Sequence, residues 1–299
     1  MKKGDAVGLV ATARAVDESI VEAARNVFES WGLRVVVPDD VYAQYGQLAG
    51  DDNLRACAMQ SMLDDDSVRA VVALRGGYGT VRIIDRLDFS RFMQNPKWLV
   101  GYSDFTVMHC HLQQVLGVES IHAVMPVNFP ECDDDSVALC SLRRALFGEA
   151  DCYEVEPSAI NREGTAEGVV VGGNLSVIYS LLGSVSAPDT RGKILLVEDL
   201  DEYIYHIDRM MQNLLRNGML DGLQGLIVGG LTQMHDNAMP FGRTARQVVR
   251  DAVERFNYPV LFDAPFGHIG ASNRALLLGS NIRLESSTDK MCHITPVAC

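Results

Sequence analysis

The 299-residue chain lacks an apolar run long enough to cross a bilayer, which takes about 20 consecutive apolar residues. It also lacks a basic excess: 26 lysines and arginines against 39 acidic residues leave a net charge of −13. Nucleic acids and anionic membrane surfaces reward a basic face, so neither is expected as a partner. Seven cysteines, at 57, 110, 132, 140, 152, 292 and 299, show neither paired zinc spacing nor a compact disulfide framework. They read as reduced thiols, mostly packing residues. Repeats and low-complexity segments are missing too. Met1-Lys2-Lys3 leads into Gly4-Asp5 and not into a long apolar signal region, so a soluble cytoplasmic protein is the expectation.

What is present is enough apolar residue, 47% of the chain, to bury large cores in two domains. The first half alternates strand-like and helix-like runs. Residues 6–11 are apolar; Ile20, Val21, Ala24, Val27, Phe28 and Trp31 then recur at helical spacing up to Gly32. Residues 33–37 and 68–74 read as further strands, with a polar helix over 51–63 between them. Such repetition predicts a parallel sheet with helices on both faces, whose ligands gather at the carboxyl ends of strands. The rhythm fades over 131–165, acidic at 131–135 and connector-like at 157–164, so that stretch is expected to link a domain over 1–130 to one over 166–299. The second half restarts with a strand at 168–171, a Gly172-Gly173-Asn174 turn, a strand at 193–197 and a helix marked by Ile204, Ile207, Met211, Leu214 and Leu215.

Ser103 stands between the apolar run 98–101 and a helix-like run carrying Phe105, Met108 and Leu112. A hydroxyl at a tight strand-to-helix turn is exposed, and amides beyond it can donate to an oxyanion. Phe105, two positions on, is too bulky for a Gly-x-Ser-x-Gly elbow, so a different scaffold is implied. The competing reading of Ser103 is a helix cap. A serine nucleophile needs a base, and of seven histidines His268 is best placed, in the glycine-flanked loop Pro265-Phe266-Gly267-His268-Ile269-Gly270 after an apolar strand. His109, His111 and His122 read as packing or edge residues. Glu198 ends the run Ile194-Leu195-Leu196-Val197 and so sits at a strand terminus, while Asp201 and Glu202 suit a helix start. The glycine-rich string Arg75-Gly76-Gly77-Tyr78-Gly79 follows another strand, but Arg82 stands where a dinucleotide fingerprint needs glycine, which argues against NAD.

Together, Arg75-Gly76-Gly77-Tyr78-Gly79, Gly101-Tyr102-Ser103-Asp104, Val197-Glu198-Asp199 and Phe266-Gly267-His268 resemble the LD-carboxypeptidase family, the muramoyl-tetrapeptide carboxypeptidases of peptidoglycan recycling. The resemblance runs from Gly4-Asp5 through Asn273. It implies an α/β protein with a Rossmann-like N-terminal parallel sheet flanked by helices, a C-terminal α/β domain and an active site at their interface. Ser103 would attack, His268 shuttle the proton and Glu198 orient the imidazole, with amides of Gly77 and Asp104 as the oxyanion hole. Arg75, Gly76 and Tyr78 would meet the substrate, with Arg75 the nearest cation for a terminal carboxylate. Neither metal nor organic cofactor is implied, and a homodimer is. The expected substrate is a murein tetrapeptide; alternatives are a peptidyl-nucleotide antibiotic, as hydrolysed by self-immunity peptidases of the same family, and simple small-molecule binding without catalysis. Two positions and one stretch depart from the family pattern: His206 stands where arginine is expected, Asn273 follows His268 by five positions where four is commoner, and residues 274–279 lack the proline often found there.

Overall fold

The computed structural model describes residues 1–133, 135–149 and 151–297 and arranges them around two sheets. Strands β1 (Ala6–Val10), β2 (Arg34–Val36), β3 (Val68–Ala73), β4 (Trp98–Gly101) and β5 (Ser120–His122) run parallel in the spatial order β5-β4-β3-β1-β2. Parallel neighbours need crossovers, and α1 (Glu18–Ser30), α2 (Asp52–Asp64), α3 (Ser90–Gln94) and α4 (Thr106–His111) lie in them. Helix α1 shows the local logic. The Asp17 side chain caps it by accepting from the Ile20 amide, Ile20, Val21, Ala24 and Phe28 form its buried stripe, and Gly32 follows at φ +80°.

After α5 (Val137–Phe147) come β6 (Tyr153–Val155), β7 (Gly164–Asn174), β8 (Ile194–Leu200), β9 (Gly225–Thr232), β10 (Val260–Leu261), β11 (Leu276–Leu278), β12 (Asn281–Ser286) and β13 (Cys292–Pro296). The second sheet has the order β10-β9-β8-β7-β12-β13-β6, parallel from β7 to β10 and antiparallel beyond. Helices α6 (Leu175–Leu181), α7 (Ile204–Arg216) and α8 (Ala245–Ala252) connect its parallel strands. Strand β11 leaves this sheet and adds antiparallel to β5, closing an edge of the first one.

Side-chain alternation assigns each sheet two buried faces. Val71 and Ala73 enter the same hydrophobic cluster as Leu195, Val197 and the α6 residues Leu175 and Ile178, whereas Ala70 and Val72 face a second cluster with Phe28. Ile194 and Leu196 face a third. The first cluster therefore runs continuously between the two sheets, and each fully buried Leu or Ile in it contributes about 1.5–3 kcal/mol by transfer from water.

Three expectations need correction. The stretch 131–165 is not a bare connector: it holds α5, with Ala138, Leu139, Leu142, Ala145 and Leu146 buried, and β6. The acidic residues just before it hid that periodicity; Asp134 among them lies outside the described residues. Gly172-Gly173-Asn174 is strand, not turn, with φ +116° and +136° at the two glycines. Of the six described cysteines, Cys110 and Cys292 are buried and Cys132 packs partly buried against the second cluster, but Cys57, Cys140 and Cys152 are exposed, so packing accounts for half of them; Cys299 lies outside the described residues. No helix among the described residues is long and apolar enough to cross a membrane.

Candidate active site

Strand β4 carries Leu99 and Val100 through the core and ends at Gly101, where a Cβ would lie 2.8 Å from the Phe105 ring. The bulk that rules out the usual elbow is thus accommodated by a missing side chain. Ser103 follows at φ +61°, a left-handed conformation that costs a non-glycine residue about 1–2 kcal/mol. Neither the 3₁₀ turn Ser103–Phe105 nor α4 has a side-chain cap, so capping does not account for this serine. Its hydroxyl lies against the glycine-rich turn: a Cβ on Gly76 would come within 3.0 Å of Ser103 Oγ and 3.3 Å of the Met125 methyl.

That turn is held from behind. Arg55, 1% exposed, donates to the carbonyls of Thr12 at 2.6 Å and Gly79 at 2.8 Å and pairs with Asp52. The buried Asp104 carboxylate accepts from the amides of Gly79 at 3.3 Å and Thr80 at 2.9 Å, while burial pushes its carboxyl above the usual range. The Asp104 side chain is therefore a brace for the turn. Arg75 donates to the Ala15 carbonyl at 3.2 Å, and Tyr78 is exposed beside the Arg82 guanidinium. Gly77, at φ +109°, lies beneath the stem of exposed Arg14, whose Cδ would be 2.6 Å from a Cβ placed there.

The second sheet supplies the imidazole and carboxylate. Glu198 ends the apolar part of β8, fully buried, and its Oε2 accepts from His268 twice, from ring Nδ1 at 2.6 Å and from the backbone amide at 3.2 Å. Only glycine fits before His268: Gly267 sits at φ +96°, and a Cβ there would collide with the Glu198 carboxylate. Asn273, at its unusual spacing, accepts from the Gly267 amide at 2.8 Å and so fixes this loop. Burial alone pulls the His268 imidazole down, but the adjacent Glu198 carboxylate outweighs it and holds the ring above the ordinary histidine value. For Glu198 burial raises and His268 lowers, with the net result below the usual glutamate range. Behind the pair, His122 is kept neutral, pulled down to about 4 by burial. Asp199, pushed up to about 7 by burial and by the Glu198 charge, accepts from Asn174 Nδ2, Ser176 N and Leu200 N. Another departure, His206, pairs with Glu202 at 2.6 Å, away from the Glu198 carboxylate.

Beside the shared core, two contacts close to Ser103 join these halves. The Tyr102 ring, one residue before Ser103, packs on the His268 ring with centroids 4.7 Å apart. The Asn174 amide at the end of β7 donates to Thr106 Oγ1 at 3.0 Å, and a Cβ on Gly173 would come within 2.6 Å of that same oxygen. Carboxyl ends of both parallel sheets thereby meet, with a hydroxyl on one and a carboxylate-paired imidazole on the other, the parts of a general-base-assisted serine nucleophile. Arg14 and Arg55 escape the sequence reading, and Tyr102 and Asn174 enter it only inside motifs, with no role of their own. Arg14 carried a usable signal, since it follows β1 at a carboxyl end; the others are recognisable only through their contacts. Among the described residues no group of three His, Cys, Asp or Glu side chains is disposed to hold a metal.

Residues 7–123 match the LD-carboxypeptidase N-terminal domain and residues 167–284 the LD-carboxypeptidase C-terminal domain. A probable murein peptide carboxypeptidase of Bacillus subtilis (strain 168) is 36% identical over 279 residues, 91% of this chain and 86% of its own length. The crystal structure of a muramoyltetrapeptide carboxypeptidase from Oxalobacter formigenes superposes with a TM-score of 0.88 at 27% identity, covering 98% of this chain and 100% of that one. A mutant of the microcin C7 self immunity protein MccF, in complex with adenosine monophosphate, shares the fold with a TM-score of 0.85 at 19% identity, over 99% of this chain and 97% of that one. With both domains matched in chain order and a 36% identical relative spanning nine-tenths of the sequence, the chain belongs to the LD-carboxypeptidase family.

Proposed function

We propose that this protein is a serine carboxypeptidase that removes the terminal D-alanine from murein tetrapeptides, acting in the cytoplasm in peptidoglycan recycling, as a homodimer like that implied by its family. The names of its relatives support the substrate class. The observation that carries the mechanism is the buried Glu198 carboxylate bonded to His268 Nδ1, with Tyr102, the residue before Ser103, packed on that ring.

His268 Nδ1–H donates to Glu198, which leaves Nε2 to take the Ser103 proton as Oγ attacks the carbonyl joining the L-configured centre of the third residue to D-alanine. The developing oxyanion is received by the amides of Gly77 and Asp104. His268 returns the proton to the leaving amine, D-alanine departs, and water, activated by the same imidazole, hydrolyses the acyl-enzyme. Left-handed Ser103 and side-chain-free Gly76 leave the hydroxyl unobstructed.

The test is mass spectrometry of purified protein with a murein tetrapeptide and, separately, a peptidyl-adenylate mimic. Loss of one alanine from the tetrapeptide alone is expected. Cleavage of only the nucleotide conjugate would move the substrate to the peptidyl-nucleotide class, and turnover of neither would leave a binding protein.

A further inference from the structure

We propose that Arg14 is the cation that receives the terminal carboxylate of the substrate, an inference that rests on the carboxypeptidase reading. A peptidase that cuts one residue from a free carboxyl end has to pair that charge at a fixed distance from its nucleophile, and in a chain of net charge −13 the cation has to be local. Most arginines around the glycine-rich turn are already engaged. Arg55 is buried on two carbonyls and Asp52, Arg75 donates to the Ala15 carbonyl, Arg82 is bidentate on Asp52, and Arg86 reaches Asn53. Arg14 is exposed and makes no side-chain hydrogen bond or ion pair within the described residues.

Its position follows from two adjacent glycines. A Cβ on Gly76 would lie 3.0 Å from Ser103 Oγ, and one on Gly77 would lie 2.7 Å from Arg14 Nε. With consecutive Cα atoms about 3.8 Å apart and each Cα–Cβ bond about 1.5 Å, Nε is at most about 13 Å from Oγ. A substrate needs roughly 9–10 Å to run from the attacked carbonyl across one amino acid to a carboxylate and its guanidinium partner. A span of one residue lies within that bound. Gly77 is thereby explained twice, by its φ of +109° and by the arginine stem lying on it.

The backbone under Arg14 is clamped although its side chain is unpaired. The Thr12 carbonyl is held by Arg55 at 2.6 Å, the Ala13 carbonyl by the Ala49 amide at 3.0 Å, and Ala15 donates to Gln47 at 3.0 Å while its carbonyl takes Arg75. A fork fixed at its root loses less freedom on binding, and a guanidinium matches a carboxylate bidentately. Arg75, expected as the carboxylate ligand, is instead a positioning residue for this segment.

The experiment compares kcat/KM on a murein tetrapeptide and on its C-terminal amide for the parent, Arg14→Gln, Arg14→Lys and Arg75→Gln. The parent is expected to prefer the acid by about 10²-fold, the scale of a bidentate charged pair. In Arg14→Gln that acid-to-amide ratio falls toward one, Arg14→Lys restores part of it, and Arg75→Gln lowers both rates while keeping the ratio. An unchanged ratio in Arg14→Gln, or its collapse in Arg75→Gln alone, overturns the assignment of Arg14 and leaves the carboxypeptidase reading standing. A parent that releases no D-alanine overturns both. Melting temperatures and the charge-conserving Arg14→Lys variant separate a folding defect from a binding one.

Discussion

Replacing Glu198 by glutamine isolates charge from shape at the residue on which the proposed mechanism turns. Two donors, the backbone amide and ring Nδ1 of His268, converge on Glu198 Oε2 at 3.2 and 2.6 Å. The backbone donor cannot reverse, so the glutamine oxygen keeps that seat and the histidine tautomer is preserved. The new NH₂ then occupies the place of Oε1, a buried atom with no hydrogen-bond partner among the described residues. An unsatisfied buried amide costs about 1–3 kcal/mol, but removing a buried charge offsets it, so the melting temperature should move by only a few degrees. Catalysis should suffer more. Imidazolium and carboxylate about 4 Å apart at an effective dielectric near 20 attract by roughly 4 kcal/mol, which at about 1.4 kcal/mol per decade is about 10³ in rate. The expected result is kcat down about 10³-fold with a much smaller change in KM. The acid limb of the kcat/KM profile should also move to lower pH, because Glu198 is what holds His268 above its ordinary value of 6.5. Steady-state D-alanine release across pH checks all three. Near-parent kcat in a folded Glu198→Gln protein, or the large loss at Glu202→Gln, where the carboxylate pairs with His206 instead, would refute the reasoning.

Ser103→Ala should abolish turnover with little change in melting temperature, whereas Ser103→Gly, equally inactive, should melt higher than Ser103→Ala by about 2 °C because glycine tolerates φ +61°; calorimetry separates them. Gly76→Ala should cut kcat at least tenfold, since its methyl would sit 3.0 Å from Ser103 Oγ, and a parent-like rate would displace the turn from the site. The His268–Glu198 pair should also shape stability. With His268 raised in the folded state, its contribution is complete below 6.5 and fades as pH climbs through the raised value; with Glu198 lowered, its contribution is present above 4.5 and fades as pH falls through the depressed one. Denaturant titrations of parent and Glu198→Gln should therefore differ most between those limits. Turnover should survive extensive EDTA treatment, and a loss restored by zinc would replace the serine mechanism with a metal-assisted one.

Local chemistry made much of this protein legible before any tertiary contact was known. The alternation of apolar runs with helical stripes such as Ile20, Val21, Ala24 and Phe28 determined parallel strands with crossover helices, because period 2 and period 3.6 burial need no distant partner to be read. It also placed Ser103, Glu198 and the glycine-rich turn at carboxyl ends of strands and His268 in a glycine-flanked loop. Other features depended on residues far apart in the chain. Gly172 and Gly173 look like a turn locally, and only their parallel pairing with Leu196 and Val197 of β8 makes them strand, while Leu196 and Thr106 leave no room for a side chain at either. Likewise, nothing near Leu276–Leu278 announces that it leaves one sheet to close the other. Arg75 and Arg14 carry the same guanidinium, and only the folded chain shows that Arg75 donates to the Ala15 carbonyl across 60 residues while Arg14 stays exposed over Gly77. Which element forms is a question of neighbours in sequence; which side chain is free to act depends on what else has folded against it.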